Sequence, residues 1–262
     1  QGDDGRRIWL RFFDGDTPLN NHWQVTQQVK IDGRYANRYD VTLLVNGLPL
    51  VQIELKRRGL EMKEAFNQIQ RYQKHSFWAG QGFFNFVQLF VISNGVNTKY
   101  YANARRQSFK QTFYWAREDN NTIRELSAFA KAFLNPERLG RFLARYIVLH
   151  ESDKILMALR PYQVYAVEKI VERVMNPPDT NSNGYIWHTT GSGKTLTSFK
   201  AAQIIQALPE VDKVVFCVDR RDLDDQTIRE FNAFKKDSVD GTDNTQRLVE
   251  QFADDTGLIV TT

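Results

Sequence analysis

Two stretches of the 262-residue sequence gather side chains able to act on phosphate esters. The first runs from Arg38 to Lys56 and holds Asp40, Glu54 and Lys56. Its apolar-rich runs 39–45 and 50–56 flank Asn46-Gly47, a dipeptide that favours a tight hairpin turn. Along the second run Gln52, Glu54 and Lys56 alternate with Val51, Ile53 and Leu55, so the two sets face opposite ways on a strand. A two-residue loop at Asn46-Gly47 would set Asp40 opposite Ile53 and mix polar with apolar groups on both faces. A three-residue loop that includes Leu48 sets Asp40 opposite Glu54, Thr42 opposite Gln52, Val41 opposite Ile53 and Leu43 opposite Val51. The second register sorts an apolar face from a polar one, and a slip of one residue would invert both, so it is the register expected. Two carboxylates then project together beside an ammonium. Adjacent like charges repel, and a divalent cation is their natural compensation, because Mg²⁺ takes one or two carboxylates and keeps several waters. Lys56 could polarise an attacking water or stabilise charge on a phosphoryl transition state. The following stretch, 61–78, has Met62, Ala65, Phe66, Ile69 and Tyr72 at helical spacing, which puts Gln68 and Tyr72 one turn apart on one face.

The second stretch is His188-Thr189-Thr190-Gly191-Ser192-Gly193-Lys194-Thr195, between a predicted strand at 185–188 and a predicted helix at 195–208. Glycines there let backbone N–H groups converge on phosphate oxygens, and the helix N-terminus adds its dipole. Lys194 would reach the β- and γ-phosphates of a nucleotide, and the Thr195 hydroxyl would ligate its Mg²⁺. The strict G-x-x-x-x-G-K-[ST] pattern wants Gly where this chain has His188, which is expected to pack at the loop entrance.

These residues carry resemblances. The Asp40, Glu54-x-Lys56 arrangement resembles the PD-(D/E)xK nucleases. That resemblance implies Asp40 and Glu54 as Mg²⁺ ligands, a further ligand from the Leu55 carbonyl, and Lys56 as a catalytic residue; Tyr39 stands where the usual Pro would be. Gln68 and Tyr72 form the Q-x-x-x-Y companion of the subset that includes RecB-type enzymes, where it would hold the DNA backbone or brace the metal site. Thr190–Thr195 matches the T-G-x-G-K-T loop of superfamily 2 helicases and translocases. Arg160-Pro161-Tyr162-Gln163 resembles the Q-motif of that superfamily, whose Gln reads adenine, and 216–226 resembles its motif Ia. No Asp-Glu-x-His or Asp-Glu-Ala-Asp box follows, so this stretch alone is expected to bind ATP without turning it over. In its order of motifs the chain resembles the motor (R) subunit of type I restriction–modification enzymes. That family implies an ATP-driven translocase that cleaves double-stranded DNA far from its recognition site, in complex with methyltransferase and specificity subunits. A RecB-like repair nuclease–helicase and a non-catalytic ATP-gated DNA-binding module stay open as alternatives.

The elements around these sites suggest two α/β domains. Residues 1–150 read as a nuclease-type mixed sheet flanked by helices, with strands at 83–93 and 96–101 and a helical tail at 122–134 and 136–148. Residues 151–262 read as the start of a RecA-like parallel sheet, with helices at 161–175 and 223–234 and strands at 213–218 and 258–261. Charge divides in the same way: 22 Lys+Arg against 13 Asp+Glu in 1–150, and 13 against 18 beyond. A basic first half suits a polyanionic partner. No run approaches the ~18 apolar residues of a membrane span, so a cytoplasmic prokaryotic protein with no membrane partner is expected. Cys217 sits in the apolar run 214–218 and is expected to be buried and inert, and His22, His75 and His150 do not form a metal-binding pattern. A first residue other than Met and an end in a strand-like run suggest a portion of a longer polypeptide.

Overall fold

Alternation in the hairpin is carried by a five-stranded sheet ordered β1 (Trp23–Ile31), β2 (Asn37–Val45), β3 (Leu48–Leu55), β4 (Leu89–Ser93) and β5 (Thr98–Ala102). Only the β3–β4 pair is parallel. It is bridged by helix α1 (Met62–Tyr72), whose buried residues Met62, Ala65, Phe66, Ile69 and Tyr72 are the five at helical spacing. The computed structural model describes residues 12–31, 37–73, 82–105, 107–178, 183–219, 221–236, 238–239 and 244–262. The end of the helix expected at 61–78 and His75 lie outside them.

The hairpin reaches its register by a route other than the one expected. Asn46 and Gly47 both adopt positive φ (51° and 83°) and form a two-residue loop, with Val45 opposite Leu48. A β-bulge between Leu43 and Leu44 then absorbs the extra residue, so that Leu43 faces Val51, Thr42 faces Gln52 and Val41 faces Ile53. The three-residue loop is thus replaced by the turn this dipeptide prefers plus a bulge, and the pairing toward Asp40 and Glu54 is the same.

Both faces of the sheet are covered. On one, α1 joins Phe90, Ile92, Tyr101 and Tyr39 in an apolar cluster. On the other, Tyr100 meets Phe133 of α2 (Leu126–Phe133) and Phe142 of α3 (Pro136–Arg145), with ring centroids 5.0 and 5.5 Å apart. This double cover makes β3 and β4 buried along most of their length. The face expected to be polar is therefore an interior one. Residues 83–86 form a 3₁₀ turn rather than the start of a strand, and the strand expected at 96–101 begins at Thr98.

The chain divides into two compact units, Gln1–Trp115 with Thr122–Ile147, and Ala116–Asn121 with Val148–Thr262. Short strands β6 (Trp115–Ala116) and β7 (Thr122–Ile123) flank the turn that belongs to the second unit, and β8 (Ile147–His150) pairs with β9 (Ile155–Ala158). The second unit then has α4 (Pro161–Met175), α5 (Lys194–Gln206), β10 (Val214–Cys217), α6 (Arg221–Phe234), α7 (Thr245–Ala253) and β11 (Leu258–Thr261). Parallel strands β10 and β11 pack through Phe216, Phe231 and Phe199, whose successive rings lie 5.4 and 5.3 Å apart.

Two expectations fail here. Residues 185–188 are not a strand: they pair with no described segment, and Tyr185 and Trp187 are each 88% exposed. A parallel strand needs a hydrogen-bonding neighbour, and β10 and β11 pair only with each other. For the same reason Cys217 is exposed, because alternate residues of a two-stranded sheet turn away from its single covered face. Among the described residues no helix is long and apolar enough to cross a membrane.

Candidate active site

Glu54, Lys56, Gln68 and Tyr72 are joined in one hydrogen-bonded chain, and Asp40 is held beside it. Asp40 is half-buried on β2, and its Oδ2 accepts the Leu55 N–H at 2.9 Å, which ties the carboxylate to the end of β3. Glu54, one residue earlier, is fully buried; its Oε1 accepts from Lys56 Nζ at 3.2 Å, and its Oε2 has no partner. Lys56 also donates to Gln68 Oε1, Gln68 Nε2 donates to the Tyr72 hydroxyl, and that hydroxyl donates to the Arg38 carbonyl at 3.0 Å. Helical spacing is what makes this possible: Gln68 and Tyr72, one turn apart on α1, span the distance from Lys56 back to β2. The Arg38 carbonyl, two residues before Asp40, is a partner that side-chain patterns alone do not reveal.

Burial sets the electrostatics. Enclosure under α1 and the neighbouring Asp40 charge push the Glu54 carboxyl up to about 8, against the weaker opposing pull of Lys56. Burial likewise raises the Tyr72 phenol, with the carboxylates of Glu54 and Asp40 adding to the effect, so it remains a donor at neutral pH. The neighbouring Tyr101 hydroxyl, also buried and without a partner, is raised well above its ordinary value by burial and then by Glu54. A buried carboxylate oxygen without a hydrogen bond is costly. Retention of the Glu54 proton up to about pH 8 relieves that cost, and Oε2, beside Asp40, is where the proton or a cation in its place would sit. Among the described residues no group of three or more His, Cys, Asp or Glu could hold a metal; this site offers two carboxylates and backbone oxygen. His22 is exposed, and His150 pairs with Asp153 at 3.4 Å.

The second stretch forms a turn at Thr190–Gly191 that enters α5 directly. Gly191 and Gly193 take φ of 73° and 84°, the left-handed region that glycine enters without strain. Ser192 N–H, Ser192 Oγ and Lys194 Nζ all converge on the Thr189 carbonyl, at 3.3, 2.7 and 3.4 Å. Lys194 is exposed and Thr195 half-buried in the first turn of α5. His188 packs edge-on against Tyr162, with ring centroids 5.6 Å apart, and burial followed by the Lys194 charge lowers its pKa. Gln163 does not point away from the loop: its Oε1 accepts the Arg160 N–H at 2.9 Å, and its Nε2 donates to the carbonyls of Ser192 and Gly193, each at 3.3 Å. Tyr162 adds a hydroxyl donation to the Ser192 carbonyl at 2.7 Å. Contact with adenine would require Gln163 to exchange these partners. Arg220 and the side chains of 221–224, in the stretch that resembles motif Ia, lie outside the description.

Comparison with known proteins agrees with the division into two units. Residues 1–109 match the family model of the type I restriction enzyme R protein N terminus, and residues 162–262 match that of the SWI2/SNF2 ATPase. The chain is 51% identical over 262 residues to the endonuclease subunit of the type I restriction enzyme SauCOLORF180P of Staphylococcus aureus (strain COL), covering 99% of this chain and 28% of that subunit. It is 46% identical over 175 residues to the EcoprrI endonuclease subunit of Escherichia coli, 66% of this chain and 56% of that one. It is 44% identical over 158 residues to the C-terminal part of the putative MpnIIP endonuclease subunit of Mycoplasma pneumoniae, 56% of this chain and 76% of that one. The chain thus spans 28% of the length of its S. aureus relative. With both sites and these matches in hand, the chain belongs to the family of type I restriction enzyme endonuclease subunits.

Proposed function

We propose that the first unit carries a Mg²⁺-dependent PD-(D/E)xK-type DNA endonuclease site and the second the P-loop of an ATP-driven motor that moves double-stranded DNA. The whole would work in a complex with methyltransferase and specificity subunits. One observation carries the reading of the first unit: Asp40, Glu54 and Lys56 converge at the end of β3, and the Glu54 Oε2 is buried without a partner. Two carboxylates with an adjacent backbone carbonyl form a hard-oxygen set that fits Mg²⁺ better than softer metals. Asp40, Glu54 and the Leu55 carbonyl would hold the ion. When bound, Mg²⁺ supplies Lewis acidity to a phosphodiester and raises the acidity of water.

The chain's own groups then divide the remaining work. Asp40 is pre-oriented by the Leu55 N–H, so its carboxylate need not reorganise. Glu54, with its proton held to about pH 8 in the metal-free site, gives that proton up as a cation enters. Lys56, held by Gln68, presents an ammonium that can donate to the charge developing on the phosphoryl oxygens. Gln68 and Tyr72 act as positioning residues, fastening that ammonium to the backbone of β2.

In the second unit Gly191 and Gly193 open the backbone of the loop to phosphate, Lys194 would leave the Thr189 carbonyl for the β- and γ-phosphates, and Thr190, Ser192 and Thr195 line the path, Thr195 toward the nucleotide's Mg²⁺. Gln163, which now donates to the loop carbonyls, would exchange those partners for the adenine edge of the nucleotide.

The test is cleavage of circular duplex DNA by the complete enzyme with Asp40→Asn or Lys56→Ala in its endonuclease subunit. Cleavage should fall by about 10²-fold or more while ATP hydrolysis persists. Cleavage at the wild-type rate in both variants would refute the assignment.

A further inference from the structure

Two cations of the first unit, Lys99 and Arg124, share one aromatic ring. Lys99 on β5 places its Nζ 4.8 Å from the ring centroids of both Phe109 and Tyr114, and the Arg124 guanidinium, just after β7, lies 4.9 Å from the Tyr114 centroid. The rings are fixed: both pack against the apolar cluster under α1, and the Tyr114 hydroxyl donates to Asn97 Oδ1 at 3.3 Å. Ring faces attract cations, and this attraction holds the two charges near each other in spite of their repulsion. Among the described residues no carboxylate pairs with either cation and no oxygen accepts from Lys99 Nζ. Arg124 donates there only through Nε, to Thr122 Oγ1 at 3.5 Å. Lys99 is half-buried and Arg124 exposed, and burial followed by the Arg124 charge lowers the Lys99 pKa. A half-buried ammonium without an acceptor is costly, and an anion that takes N–H donations from both groups would offset the cost and the repulsion together.

The sheet sets this pair in line with the acids. Glu54 on β3 faces Ile92 on β4, and Ile92 faces Lys99 on β5, so the three form one row across the sheet with Ile92 buried between the ends. Two strand spacings put Lys99 about 10 Å from Glu54, backbone to backbone, a distance that about three nucleotide steps cover along one DNA strand. We propose that Lys99 and Arg124 hold a backbone phosphate of the DNA a few nucleotides from the phosphodiester that is cut. This rests on the reading of the first unit as a DNA endonuclease. The ammonium and the guanidinium can donate to different oxygens of one phosphate, and such a contact positions the strand without carrying sequence information.

The experiment is the salt dependence of binding of the full-length polypeptide to a fluorescein-labelled duplex, read by anisotropy in the presence of a chelator. Lys99→Met keeps an apolar stem on the two rings and removes the charge, and Arg124→Gln removes the second cation. Each should weaken binding by about threefold or more and make the slope of log affinity against log salt shallower by about 0.9. Lys99→Arg should restore both. Lys131→Met, which removes an exposed charge from α2, should leave the slope in place. Slope and affinity unchanged in Lys99→Met and Arg124→Gln overturn the subsite and leave the endonuclease reading standing, even if melting drops or inorganic phosphate binds calorimetrically to wild type alone. Those last two results would mark the pair as structural or as a small-anion site. An equal change in Lys131→Met overturns the proposal as well, because net charge would then set the binding. Cleavage at the wild-type rate by the complete enzyme carrying Lys56→Ala removes the endonuclease reading and this inference with it, whatever the slope shows.

Discussion

Replacing Glu54 by Gln should stabilise the metal-free protein, and the gain should grow with pH. The Glu54 carboxyl holds its proton to about 8 in the folded chain against 4.5 for an ordinary glutamate. A carboxyl raised in this sense binds its proton more tightly folded than unfolded. Its contribution to stability is therefore complete below 4.5 and is lost as pH rises toward 8. At about 1.4 kcal/mol per tenfold difference in proton affinity, the loss is roughly 3 kcal/mol at pH 7 and at most about 5 at pH 9. Gln keeps the volume and an oxygen for Lys56 but carries no charge to bury. For a chain of this size the gain at pH 7 corresponds to a midpoint higher by roughly 6–12 °C. The assay is scanning calorimetry with a chelator at pH 5, 7 and 9. The two proteins should melt together at pH 5, within about 1 kcal/mol, and diverge upward. Wild type as stable as the variant at pH 9 would refute the reasoning, because the site would then be solvated or already compensated.

Other perturbations test other parts. Gly193→Ala places a Cβ 2.6 Å from Gln163 Nε2 at a φ of 84°, so the loop must shift; nucleotide affinity should fall by about tenfold or more in a titration with ATP, with little change in the melting of the first unit. Tyr72→Phe removes the donor to the Arg38 carbonyl, and denaturant unfolding should report a loss of about 1 kcal/mol, accompanied by a lower kcat for cleavage at unchanged DNA affinity. Asn46→Ala strains a residue at φ 51° and removes bonds to the His22 N–H and the Phe12 carbonyl. It should cost about 1–2 kcal/mol in the same assay.

Local pattern made the hairpin, α1 and the loop before α5 legible. Asn46-Gly47 marks the hairpin but not its loop length, which was expected to be three residues and is two, while the five apolar positions of α1 define its buried face and two closely spaced glycines precede Lys194. What was hidden depended on partners distant in sequence. Alternation in β3 correctly separated Glu54 from Ile53. It gave no sign that α1, Phe90 and Tyr101 would cover the polar side, and that cover is what raises the Glu54 carboxyl. The bulge at Leu43/Leu44 was also beyond pattern, since a loop residue and a bulge residue shift the register alike. At 185–188 and at Cys217 the apolar runs suggested burial, but a strand needs neighbours on both sides to be buried, and these have too few among the described residues. Gln163, expected to meet an adenine edge, has hydrogen bonds that run to the neighbouring glycine loop itself, a pairing the motif alone did not show.

Calorimetric titration of the nucleotide-free protein with Mn²⁺, in buffers of different ionisation enthalpy, tests the metal site most directly. With Glu54 titrating near 8, binding of one ion per chain at pH 7 should release about 0.9 proton, and release should vanish above pH 9. Glu54→Gln and Asp40→Asn should abolish that binding. An ion that binds both variants as tightly as wild type, or binds wild type at pH 7 with no proton released, would contradict a site built on these two acids.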